Sequence, residues 1–100
     1  MCNPLWDNVF LPNVLVVEIE NNCGARVKVD GKVVTQARLE FQLAPGSEIR
    51  VRVEVESTGA DCTVFVTARL DGADQRSDVC SLRVTQDDPF AFETITVATR

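Results

Sequence analysis

The side chains able to do chemistry in this chain are four cysteines, Cys2, Cys23, Cys62 and Cys80, and fifteen carboxylates, with no histidine or tyrosine beside them. Zinc sites need closely paired cysteines or histidine companions, and neither occurs here. A cysteine nucleophile needs a cationic or helix-terminal neighbour to lower its pKa. Cys62 instead shares its face with Val64, Val66, Ala68 and Leu70, and Cys80 with Leu82 and Val84. Only Cys2 and Cys23, in an N-terminal segment and a turn, are exposable. General acid–base chemistry reduces to carboxylates, lysines and cysteines. The five glycines mark separate turns and form no phosphate-cradling loop. This inventory predicts a protein that is not an enzyme and uses no cofactor.

If the segments carrying Cys62 and Cys80 pair around the Asp71–Arg76 loop, Cys80 faces Val66, ~13 Å along the strand from Cys62 and beyond the ~7 Å Cα limit for a bridge. The expectation is two reduced thiols lining a core. Asp71, Asp74 and Asp78, with Asp61, Asp87 or Asp88 from other loops, offer oxygen ligands of the kind calcium prefers. Their spacing is not that of an EF-hand loop, and aspartate favours turns on its own account, so plain loop chemistry is expected rather than calcium.

The elements that must position these residues follow from alternation. From Ala37 to Glu56, apolar and polar residues alternate on both sides of a Pro45-Gly46 corner: Leu39, Phe41 and Leu43 before it, Ile49, Val51, Val53 and Val55 after it. Period two means half-buried strands, and a one-residue slip would put every one of these side chains in water. Pro-Gly suits a type II turn, a poor fit to a tight hairpin, so the corner is expected to carry the chain from one sheet to the other. Strands are expected over Val14–Glu20, from Arg26 to Thr35 as a hairpin about Asp30-Gly31, over Cys62–Leu70, over Val79–Thr85 and over Phe90–Thr99. Asn21 to Gly24 is read as turning the first of these back. In the last strand Phe90 and Phe92 lie on one face and Ile95 and Val97 on the other, which calls for a bulge near Glu93–Thr94 or apolar contact on both faces.

Together these describe an all-β protein, an antiparallel β-sandwich of about seven strands, favoured over a barrel, with no substantial helix. Residues 1–13 form an apolar N-terminal arm and residues 14–100 one β-sandwich domain. A length of 100 residues with 45% hydrophobic and 25% charged side chains fits one ordinary globular domain. No apolar run approaches the roughly 18 residues of a membrane helix. The net charge of −5 disfavours nucleic acid or an anionic membrane as partner. The first residues lack the pattern of a secretory signal, so a native start at Met1 implies an intracellular setting or a virion.

The run from Leu43 to Asp61, Leu-Ala-Pro-Gly-Ser-Glu-Ile-Arg-Val-Arg-Val-Glu-Val-Glu-Ser-Thr-Gly-Ala-Asp, resembles immunoglobulin-like and fibronectin-type-III-like modules of the bacterial adhesion-related type. There a Pro-Gly corner leads a strand ending in such a turn, and the resemblance extends to Leu70. It implies an architecture for adhesion, spacing or assembly and supplies no catalytic residues. The function expected is a non-enzymatic interaction or structural module, a virion decoration or assembly domain or a surface-protein domain. The alternative is a small acidic inhibitor that binds a host or competitor protein and masks a nucleic-acid-binding surface. The expected partner is another protein or further copies of this chain. Candidate contact residues are Trp6 and Phe10 on the arm, Arg50 and Arg52 on a mixed-charge outer face, and Phe65 and Val79 as an apolar spot joined to that face.

Overall fold

The computed structural model describes residues 4–73 and 75–100. It is all-β, with nine strands and no helix among the described residues: β1 (Leu5–Val9), β2 (Asn13–Glu20), β3 (Arg26–Val29), β4 (Lys32–Val33), β5 (Arg38–Gln42), β6 (Glu48–Glu56), β7 (Cys62–Gly72), β8 (Ser77–Val84) and β9 (Phe90–Thr99). These form a five-stranded sheet, β1-β9-β6-β3-β4, and a four-stranded sheet, β5-β2-β7-β8. The count exceeds the expected seven because Lys32–Val33 is a separate short strand and because Leu5–Val9, in the stretch read as an arm, pairs with β9. That pairing is parallel; the others are antiparallel.

The core is the space between the sheets, filled by the period-two apolar sets. Val27, Val29, Val51, Val53, Val55, Ile95 and Val97 come from one sheet, and Leu15, Val17, Ile19, Val64, Val66, Ala68, Leu70, Leu82 and Val84 from the other. β-branched side chains predominate because their stiff χ1 suits a pleated surface. Leu39, Phe41, Leu43, Ile49 and Trp6 pack half-buried around the margin.

The Pro45-Gly46 corner joins β5 in one sheet to β6 in the other, as its turn chemistry implies. It is tied to the end of β9: the Gly46 amide donates to the Arg100 carbonyl (2.9 Å) and the Ser47 amide to the Thr99 hydroxyl (2.9 Å). Asp30 and Gly31 both have positive φ, 51° and 83°, as a type I′ hairpin between β3 and β4 requires. The expectation fails at Asn21–Gly24. That segment does not fold β2 back on a neighbour; it crosses to β3 in the other sheet. No bulge interrupts β9 either, since its register with β6 runs unbroken from Phe90 opposite Glu56 to Ala98 opposite Glu48.

Gly72 shows a close approach that only glycine permits. Its φ is +146°, and a Cβ there would collide with the Pro12 carbonyl oxygen and lie 2.9 Å from the Asn13 Cα. Both obstacles are backbone and cannot rotate away. Gly72→Ala is expected to cost about 2 kcal/mol, read as a lower urea midpoint with unchanged slope.

Candidate functional site: the outer face of the five-stranded sheet

The unbroken register of β9 decides where its aromatic residues go. Ile95 and Val97 face the core, so Phe90 and Phe92 face solvent, 45% and 36% exposed. Their rings stand 6.4 Å apart at 43°, within the range of favourable tilted pairs. Across the ladder Glu54 faces Phe92 and Glu56 faces Phe90, while Lys28 and Arg26 stand opposite those glutamates on the far side of β6.

Arg52 is the best-held side chain on this face. Its guanidinium lies 4.0 Å from the centre of the Phe92 ring, and its Nε–H donates to Glu54 Oε1 at 2.6 Å. Its backbone is fixed as well, because the Arg52 amide donates to Asp30 Oδ1 and the Asp30 amide to the Arg52 carbonyl, both at 2.9 Å. A planar cation already ordered against an aromatic ring loses little freedom on binding. Arg50 is looser, 3.7 Å from Glu48.

The six candidate contact residues fall into three places. Arg50 and Arg52 belong to the outer face of the five-stranded sheet. Phe65 and Val79, 44% and 62% exposed, lie on the outer face of the four-stranded sheet, so the apolar spot stands on the opposite side of the sandwich from the arginines it was expected to join. Phe65 pairs with Ser81 and Val79 with Thr67, so the two side chains are diagonal neighbours on β7 and β8. Trp6 is half-buried against the core at the β1 edge, opposite Val97. Phe10, just past the end of β1, is exposed and carries the Arg100 guanidinium 4.5 Å above its ring. Phe90 and Phe92 were absent from the candidates. Strict alternation from Ile95 and Val97 would have placed them outward.

The cysteines correct the expectation most directly. Cys80 does stand opposite Val66, as the strand geometry requires. Cys62, however, is bonded to Cys23, with a Cα–Cα distance of 5.6 Å across 39 residues of sequence. The physical reason lies in the β2–β7 ladder. Its last pair is Glu20 with Phe65, and Cys23 lies as far beyond Glu20 as Cys62 lies before Phe65, so the bridge continues the register past the end of the sheet. Cys80 is disulfide-bonded too, and no free cysteine stands among the described residues. Around the bridge, the Asn21 side-chain amide donates to the Ala25 carbonyl (2.7 Å) and the Thr58 hydroxyl to the Gly24 carbonyl (3.1 Å).

The same register buries a carboxylate. Glu93 falls on the core side of β9, is 0% exposed, and neither carboxylate oxygen has a hydrogen-bond partner. Burial pushes its carboxyl up to about 7, and the charge of Asp78 adds to the effect. The conflict between the two halves of β9 is thus resolved without a bulge, with apolar side chains on both faces and a carboxyl group inside. Among the described residues no three acidic, cysteine or histidine side chains converge on a common point, and Asp74 lies outside them. Comparison with protein-family models, curated proteins and solved structures returns no match.

Proposed function

We propose that the chain is a non-enzymatic, immunoglobulin-like interaction or structural module that binds another protein, or its own copies, through the outer face of the five-stranded sheet. The observation that carries this reading is the exposed Phe90–Phe92 pair with Arg52 held against it. Aromatic and arginine side chains dominate binding hot spots, and here they are ordered before any partner arrives. The Cys23–Cys62 bridge favours an oxidising setting, which suits a surface-protein or virion domain better than an inhibitor working among reduced cytosolic proteins.

The test places a photo-crosslinking amino acid at position 92 and, separately, at position 65, in the protein's own source. A discrete protein adduct from position 92, lost when Arg52→Ala is added, is the expected result. Adducts of equal yield from both positions, or none from position 92, would overturn the reading. Arg52→Ala should itself lower stability by no more than about 1 kcal/mol, the size of an exposed cation–π contact, as read by thermal melting.

A further inference from the structure

Strand β8 is the edge of the four-stranded sheet, and it meets β9 across the interior. At one end of this seam lies a groove of about 310 Å³ lined by Ser81, Leu82, Arg83, Asp88, Phe90, Ala91 and Phe92. Glu93 lies next in sequence to that lining, with its side chain turned inward under the seam.

The surroundings of that carboxyl are one-sided. From β6, the inward residues Val51, Val53 and Val55 bring no charge. On β9 itself the inward neighbours are Ala91 and Ile95. From β1 the core receives Trp6 and Val9. From β8, Cys80, Leu82 and Val84 are buried inward, and Asp78, exposed near the start of the strand, lies on the same side by alternation; Cys80 is disulfide-bonded and does not titrate. From β2, β3 and β7 the core-facing residues are aliphatic, apart from the bridged Cys62. Among the described residues the titratable group on Glu93's side is therefore another acid, Asp78, and no cation turns inward to meet it. An ionised carboxylate in this position is neither solvated nor paired, and the structure must relieve it by letting water in. The least-held route is the seam, because among the described residues β8 has a strand neighbour on one side only and β9 belongs to the other sheet.

We propose that the β8–β9 seam is a protonation-controlled gate: with Glu93 neutral, β8 stays closed over β9, and with Glu93 ionised, β8 lifts and widens the apolar groove between Ser81–Arg83 and Phe90–Phe92. This inference is read on the isolated chain and does not depend on the protein-binding reading.

The experiment is amide hydrogen exchange on the full chain at pH 5.5 and 8.5, corrected for the intrinsic pH dependence of exchange. A carboxyl titrating near 7 when closed and near 4.5 when open raises the open population about thirtyfold over that interval. The rise is expected in β8 and in the first half of β9 at an opening free energy well below that of the central strands β2 and β6, whose slowest amides exchange only by global unfolding, and it should vanish in Glu93→Gln. Protection of β8 that does not change with pH, protection of β8 as strong as that of β2 and β6, or a rise that survives Glu93→Gln would each overturn the proposal. Should that variant fail to fold, the carbon NMR signal of the Glu93 carboxyl in the unmodified chain decides. A midpoint matching that of the exchange supports the gate; titration in the ordinary glutamate range overturns it.

Discussion

Replacing Cys23 and Cys62 together by alanine is expected to lower stability by about 4 kcal/mol, a fall of roughly 20 °C in melting temperature for a domain of this size. The estimate rests on the 39-residue separation, which the bridge removes from the freedom of the unfolded chain. The folded state loses something too. The β2–β3 crossing would then keep the Asn21 bond, which lies within the crossing itself, and the Thr58 bond to the β6–β7 loop, neither of which reaches β7. Reductant added to the unmodified protein should move the melting temperature in the same direction. A double variant that melts with the parent would show that the crossing needs no covalent tie.

Glu93→Met is expected to raise stability by about 3 kcal/mol at pH 8 and to leave it nearly unchanged at pH 4. In the folded chain the Glu93 carboxyl holds its proton up to about 7, whereas unfolding returns it to about 4.5. Between those values the folded state binds more protons than the unfolded one, so its contribution is complete below about 4.5 and is lost as pH rises through about 7. The parent should therefore show a component of stability that falls with rising pH over that window, and the variant should lack it. Urea denaturation across the window measures the difference. Equal midpoints for parent and variant at pH 8 would mean that the buried carboxylate carries no such penalty.

Much of the fold was legible in the sequence because alternation reports face directly. The two strands on either side of Pro45-Gly46, the Asp30-Gly31 hairpin, the limits of β9 and the placing of Cys80 opposite Val66 all follow from period two and turn chemistry. Alternation does not report which sheet a strand joins. Arg52 and Phe65 both point outward, and only the crossing between β6 and β7 puts them on opposite sides of the molecule. The Cys23–Cys62 bridge escaped for a related reason, since it needs the β2–β7 partnership, and those strands are separated by four others in the chain. Glu93 escaped because a charge inside the core is the costlier reading of β9. Of the two ways to reconcile Phe92 with Ile95, a bulge or apolar side chains on both faces, the chain takes the second.

The parallel pairing of β1 with β9 sets how the domain meets mechanical force. Tension entering before Leu5 and leaving after Thr99 pulls two neighbouring parallel strands in opposite directions along their common axis. The bonds between them, bounded by the Thr96 amide on the Pro4 carbonyl (2.9 Å) and the Arg100 amide on the Val9 carbonyl (3.1 Å), are then loaded together in shear rather than peeled one after another. Beyond that clamp, the bridge from Cys23 to Cys62 keeps the chain between them from being drawn out at all while it remains oxidised. A domain joined at both ends to a larger structure would thus yield abruptly, and at higher load than one whose terminal strands met as a hairpin.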